Sequence, residues 1–159
     1  MDVFRVREAR GGDRGAIGAM WTDLMRHHRA LDAQFTIAPD AEAKYVRHAQ
    51  EMIRTANARV LVADTGPDSA LIAYIMGEIQ NRPPLAMHGV YGFVSDVYVS
   101  AEWRGKGVGR ALYADLRRWF VARKAAAVEL YVAETNPAAL LFWSEMGLSP
   151  FLKLLHEDL

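Results

Sequence analysis

Apolar and polar positions alternate from Val3 to Ala9, the period of a strand with one covered face, and Gly11-Gly12-Asp13 then breaks the alternation and offers Asp13 as a helix N-cap. Ile17, Met20, Trp21, Leu24, Met25, His28 and Leu31 recur at helical spacing and predict a first amphipathic helix. Pro39-Asp40 restarts the chain. Asp40 is the expected N-cap of a second helix whose Ala49, Met52 and Ile53 face inward while Glu42, Lys44, Arg47 and Glu51 stay in water. Arg59 to Asp64 reads as a strand, Gly66 to Ser69 as a turn and Ala70 to Gln80 as the hairpin partner. A loop is expected over Asn81 to Gly89, where Pro83-Pro84 falls. Then come a strand at Tyr91 to Val99, a helix at Gly107 to Lys124, a strand at Val128 to Val132, a helix at Pro137 to Met146 and a final strand at Pro150 to His156. The order is β-α-α-β-β-β-α-β-α-β. Hairpins in the first half and a β-α-β unit in the second give an α/β (α+β) fold, a central mixed, mostly antiparallel sheet with helices on both faces.

Length and composition narrow what this fold can do. A chain of 159 residues with 52% hydrophobic content is expected to form one domain, residues 1 to 159, with a core large enough to need no staple. The absence of cysteine excludes disulfides, thiolate metal sites and a cysteine nucleophile. Nineteen basic and nineteen acidic residues cancel, which argues against a global field pulling the protein onto nucleic acid or an anionic membrane. The charged N-terminal stretch lacks the apolar run of a signal peptide, and no segment has the ~18 apolar residues of a membrane span, so a cytoplasmic protein is expected. The five histidines include no pair at i, i+4, so no metal is expected.

Charge is balanced globally but not locally. Residues 104 to 124 carry seven basic side chains against Asp115 alone, a local +6 that follows glycines at 105, 107 and 109 and coincides with a helix start. Glycines there let the backbone turn sharply and bring its N-H groups around phosphate oxygens, and the free donors of the first helical turn add positive potential. Without an anion, the same segment is a tight connection into a solvated basic helix. A Walker loop finds no match. A dinucleotide fingerprint fails because Gly105-x-Gly107-x-x is completed by Arg110, although Glu129 lies near the expected ribose position. The spacing Arg/Gln-x-x-Gly-x-Gly/Ala directly after a strand is met by Arg104, Gly107 and Gly109.

In that setting Ser95-Asp-Val-Tyr-Val-Ser-Ala-Glu-Trp-Arg-Gly-Lys-Gly-Val-Gly-Arg-Ala-Leu112 resembles the acetyl-CoA pyrophosphate motif of the Gcn5-related N-acetyltransferases. Asn136-Pro-Ala-Ala-Leu-Leu-Phe-Trp-Ser-Glu-Met-Gly147-Leu148 is similar to the family's second signature, in the family's order. The resemblance implies transfer of an acetyl group from acetyl-CoA to an amine, with the backbone of Val97, Tyr98 and Val99 along the pantetheine arm. It also implies that Arg104, Gly105, Lys106, Gly107, Val108, Gly109 and Arg110 hold the pyrophosphate, with Asn136 and Trp143 beside the cofactor. A splay between the strand ending at Val99 and the one at Val128 to Val132 is implied as the place of the thioester.

Two departures from the family matter. The tyrosine that often protonates the leaving thiolate is replaced by Trp143, whose indole is a donor but not a general acid. That leaves Tyr98, Tyr131 or water, and a thiol of pKa ~8.5 needs little help. The glutamate that many relatives carry early in the strand before the loop is replaced by Phe93, which leaves Asp96 and Glu78 as candidate bases. Asn136 before Pro137 is what helix capping alone requires. The acceptor groove implied by the family draws on Asp32, Gln34, Phe35, Asp40, Tyr45 and His88, a mixed acidic and aromatic set that suits a small cationic amine and leaves a peptide amine open. With no cysteine, transfer must be direct. A non-catalytic acyl-CoA-binding sensor is the alternative, and a homodimer is compatible with the sequence without being specified by it.

Overall fold

The computed structural model describes residues 3–83 and 89–159, so His88 lies outside the described residues. Strands β1 (Arg5–Glu8), β2 (Ala58–Asp64), β3 (Leu71–Asn81), β4 (Val90–Val99) and β5 (Val128–Glu129) form one sheet in chain order. Every pairing is antiparallel except β4 with β5. Helices α1 (Arg14–Leu31) and α2 (Ala41–Arg54) sit on one face, α3 (Val108–Ala122) and α4 (Pro137–Glu145) on the other. Alternation along the central strands divides the side chains accordingly: Val60, Val62, Tyr74 and Met76 pack under α1 and α2, while Leu61, Ala63, Ala73 and Ile75 meet α3 and α4.

Two glycines set the approach of α3. A Cβ on Gly77 or Gly92 would lie 2.8 Å or 2.4 Å from the ring of Phe120, so their bare backbone is what lets this ring lie against β3 and β4. At the other edge Asp64 is 1% exposed and accepts hydrogen bonds from Arg5, from Arg7 at 2.8 Å and from the N-H of Gly66 at 3.2 Å. The two guanidiniums overcome burial and hold its carboxyl below the usual aspartate value.

Several sequence expectations change. Asp13 and Asp40 precede α1 and α2 but make no side-chain capping bond. Asp13 is drawn instead to Arg7 at 2.8 Å and to the N-H of Arg10, and Asp40 pairs with Lys44 at 3.0 Å. β5 stops at Glu129 where a strand to Val132 was expected, because β5 diverges from β4. The expected final strand at Pro150 to His156 is not formed: the segment joins no ladder, and its residues are exposed. Among the described residues no helix is long and apolar enough to cross a membrane, and no cluster of three or more His, Cys, Asp or Glu could hold a metal ion.

Candidate active site

β4 carries one residue more than its partner. The register with β3 runs Tyr74 to Tyr98, Ile75 to Val97 and Met76 to Asp96, then jumps to Gly77 opposite Val94, which leaves Ser95 as a bulge. An extra residue reverses the alternation of side chains beyond it. Val94 therefore packs in the core beneath α3, and Asp96, only two positions on, points to the opposite face. There its carboxylate accepts the Tyr45 hydroxyl of α2 at 2.8 Å.

Aromatic groups surround this carboxylate. Tyr45 stacks on Trp21 of α1 with centroids 4.5 Å apart, and its hydroxyl is 3.4 Å from that of Tyr74. The His48 ring stands 5.6 Å from Tyr45, and His28 stacks on Phe35 at 4.9 Å. Burial pushes the Asp96 carboxyl above the usual aspartate value, against the weaker pull of Tyr45, His48, Ser95 and His28. Burial, with His27 adding to it, lowers His28, and its Nδ1 is buried without a hydrogen-bond partner among the described residues. Burial likewise raises both Tyr45 and Tyr98, keeping the phenols protonated.

The other carboxylates lie one strand away. Glu78 of β3 stands directly opposite Phe93, so a carboxylate occupies the cross-strand neighbour of the position where relatives carry one, and Gln80 donates to it at 2.8 Å. Glu129 is level with Phe93 on the parallel side and is bridged by Arg82, whose guanidinium lies 4.4 Å from the ring centroid of Tyr91. Tyr131 meets Phe93 edge-on at 5.4 Å.

On its far side β4 borders a gap. β5 pairs with it only at Gly92 with Val128 and Phe93 with Glu129, while β4 runs on to Val99. Ser100 donates its N-H to Ile72 of β3, so the alternation of a ladder turns the backbone groups of Val97 and Val99 away from β3 into that gap. The carbonyl of Val99 is taken by Arg104 Nε at 2.9 Å.

The glycine loop follows at once. Gly105 and Gly107 have φ of 73° and 85°, and a Cβ on either would meet nothing within 4 Å, so the dihedral and not crowding demands glycine. Gly107 hands over to α3, whose first internal bond runs from the N-H of Ala111 to Gly107 at 3.0 Å. The N-H groups of Val108, Gly109 and Arg110 thus head the helix without intrahelical partners. A Cβ on Gly109 would lie 3.4 Å from the Phe142 ring, close to an ordinary contact, so neither its dihedral nor crowding within the chain demands glycine there. Three cations flank the turn: Arg104 with its guanidinium 6.0 Å from the Tyr98 ring, Lys106 with its amine 5.0 Å from the Trp103 ring, and Arg110 at 3.6 Å from Glu145. Helix-head donors without intrahelical partners, left-handed glycines and cations together fit a diphosphate.

Not every expected residue gathers here. Asn136 is buried, and its side chain accepts the N-H of Ala139 at 3.1 Å, the capping role. Trp143 is buried against Tyr113, 5.2 Å away, and Phe142. Asp32 accepts the N-H of Gln34 at 2.9 Å. The stack of Trp21 on Tyr45 and the Tyr45–Asp96 bond were not visible in the sequence, since they link residues 24 and 51 apart and no local periodicity reports them. A concavity of about 280 Å³ lies elsewhere, where Arg59 and Arg123 each stand 5.5 Å from the Trp119 ring. It contains none of the groups above, and Arg59 and Arg123 are engaged by Glu8 and Asn57.

A β4 bulge, a gap beside β4 and a glycine turn into α3 match the frame that the resemblance implied, and comparison with known proteins bears on the family. The profile of the Acetyltransferase (GNAT) family matches residues 19–148, and the chain belongs to that family. Its structure is similar to a tetramutant of the BH1408 protein from Bacillus halodurans, with TM-score 0.84, 21% identity and coverage of 98% of this chain and 99% of that one. It also resembles the aminoglycoside antibiotic 6'-N-acetyltransferase AAC(6')-Ih from Acinetobacter baumannii, with TM-score 0.78, 13% identity and coverage of 98% and 97%. A third similar structure is aminoglycoside N-acetyltransferase AAC(6')-Iy in complex with CoA, with TM-score 0.76, 11% identity and coverage of 98% and 94%. No curated protein matches the chain.

Proposed function

We propose that the protein is an N-acetyltransferase that moves an acetyl group from acetyl-CoA directly to a primary amine, with Asp96 as proton acceptor. One observation carries this most: the bulge at Ser95 puts the Asp96 carboxylate on one face of β4 while the backbone of Val97 and Val99 turns into the gap beside it. In this reading Arg104, Gly105, Lys106, Gly107, Val108, Gly109 and Arg110 hold the diphosphate, and Val97, Tyr98 and Val99 hold the pantetheine arm. Acetyl-CoA supplies an activated acyl group on a thiolate that departs readily near neutral pH.

The chain's residues do the rest. An amine must lose its proton to attack, and a carboxylate raised by burial is a better base than an exposed one. N-H groups of Val97 and Val99 are available to the oxygen on which charge develops. Tyr98, in the strand that borders the gap and kept protonated, is the phenol offered as acid, whereas Trp143 is buried and its indole is no general acid. Trp21, Phe35 and Tyr45 give the acceptor an aromatic wall, beside His28 stacked on Phe35. That lining favours a small cationic amine, with Glu78 as a second carboxylate on the same face of the sheet.

Calorimetry with acetyl-CoA should show binding that weakens with salt. Gly107→Val, which forces a side chain into φ of 85°, should abolish binding at a fold cost of ~1–3 kcal/mol. Arg104→Ala should weaken it about ten- to a hundredfold. Release of CoA should then be found for an amine in a panel of polyamines, aminoglycosides, amino acids and short peptides. The burial of Trp143 in the aromatic core favours one second reading, an acyl-CoA-binding module without turnover, which tight binding with no CoA release for any amine would support.

A further inference from the structure

Next to Asp96, the same face of the sheet carries a row of carboxylates and a ring. Met76 pairs with Asp96 and packs under α1 and α2, and Glu78 is two positions further along β3, so both carboxylates rise from one face. Glu78 of β3, Phe93 of β4 and Glu129 of β5 then stand side by side in register, one aromatic ring between two carboxylates.

The two ends of this row are neutralised differently. At Glu129 the chain supplies its own cation: Arg82 pairs with the carboxylate, and its guanidinium lies 4.4 Å from the ring centroid of Tyr91. A carboxylate and an aromatic face are the two groups that together hold an organic cation. Glu78 has the same pair, its own carboxylate and Phe93 as cross-strand neighbour, but among the described residues no cation meets it. Its partner there is neutral. Gln80 donates to Glu78 at 2.8 Å, and the Tyr91 hydroxyl donates to the Gln80 amide oxygen at 2.6 Å, which fixes the amide with its nitrogen toward Glu78. A carboxylate has about four acceptor sites, so Glu78 is oriented and still has capacity for an ammonium. Glu78 and Phe93 are both partly exposed.

Spacing sets the length of what could bind. Asp96 and Glu78 are one strand across and two residues along from each other, which puts their backbones roughly 8 Å apart. We propose that the acceptor is an α,ω-diamine of four or five carbons, its reacting amine at Asp96 and its second ammonium held by Glu78 against the Phe93 ring. In the transfer the neutral amine nitrogen bonds the acetyl carbon, the carbon–sulfur bond breaks to leave CoA as thiolate, and the amine proton passes to Asp96. The product is a monoacetylated diamine with a single charge. The inference rests on the acyl-transfer reading for the end that reacts, whereas the second ammonium is bound whether or not an acetyl group moves.

Calorimetry on the CoA-loaded protein near neutral pH, with 1,4-diaminobutane, 4-amino-1-butanol and butylamine, reads the second charge without turnover. The diamine should bind at least about tenfold tighter than either monoamine, the worth of one charge-assisted contact, and 1,2-diaminoethane, too short to span both carboxylates, should lose that margin. Glu78→Gln should cut the margin to less than about threefold, and Phe93→Leu should reduce it about two- to fivefold. With acetyl-CoA, the ratio of kcat/KM for the diamine to that for butylamine should fall toward one in Glu78→Gln. If Glu78 were a base instead, both amines would slow together and the ratio would persist. Equal binding of diamine and butylamine to the parent, or a margin and ratio unchanged in Glu78→Gln, would overturn the proposal. Selective diamine binding with no CoA released from any amine would uphold the second-ammonium site and overturn the acyl-transfer reading alone.

Discussion

Asp64 and Asp96 are both aspartates drawn away from water at the sheet, and burial pushes both carboxyls upward. At Asp64, in β2, two guanidiniums and a backbone N-H outweigh burial and keep the group ionised. Asp96, in β4, meets a phenol and two imidazoles, and burial wins. Chain geometry explains the difference in neighbours. Arg5 pairs with Asp64 in the β1–β2 register, so the cation is supplied by the sheet itself, whereas the Ser95 bulge turns Asp96 out of a core position toward α2 and its tyrosine. A buried carboxylate with its cation is scaffold. One held by a phenol can exchange a proton.

The largest effect that would break this comparison is on rate. Asp96→Asn should lower kcat by ~10²–10⁴, the usual worth of a positioned base, while the melting temperature holds or rises, because a half-buried charge with no cation bonded to it has been removed. No loss of rate would make Asp96 structural. Asp64→Asn should do the reverse: about 2–4 kcal/mol of stability lost in urea denaturation, as two arginines lose their carboxylate, with kcat of the folded fraction kept.

The two sites should also divide by pH. Asp64, depressed in the folded state, contributes stability that is present above the ordinary aspartate value near 3.8 and is lost as pH falls through its folded value. Asp96, raised, binds its proton more tightly folded than unfolded, so its contribution declines as pH rises from 3.8 through the raised value. Thermal melts of the two asparagine variants against the parent from pH 3 to 7 should show the Asp64→Asn deficit shrinking toward acid and the Asp96→Asn advantage appearing toward neutrality. The smallest effect belongs to Tyr45→Phe. Its hydroxyl pulls the Asp96 carboxyl down, so its loss should move the acidic limb of the rate profile upward and change the plateau less than tenfold.

Much of this frame was legible in the amino-acid order. The glycine turn, Arg104 and the start of α3 are local features whose dihedrals and charges are written in consecutive residues, and the alternations of β2, β3 and β4 report their own burial. What was missed is non-local. The Ser95 bulge exists only in the register of β4 against β3, so no count along β4 alone shows that Asp96 leaves the face of Val94. Trp21 read as core because a stack on Tyr45 and a core contact have the same helical spacing. The tail at Pro150 to His156 has the composition of a strand but no partner within the described chain, and a strand is a property of two segments.

The central claim is that Asp96 takes the proton from the attacking amine. Its most direct test is the pH dependence of kcat/KM for CoA release, for the parent and for Asp96→Asn, with one acceptor from the amine panel. The account predicts an acidic limb in the parent displaced above the ordinary aspartate value, and its disappearance in the variant together with the fall in rate. A parent limb retained unchanged in Asp96→Asn, at undiminished rate, would contradict it.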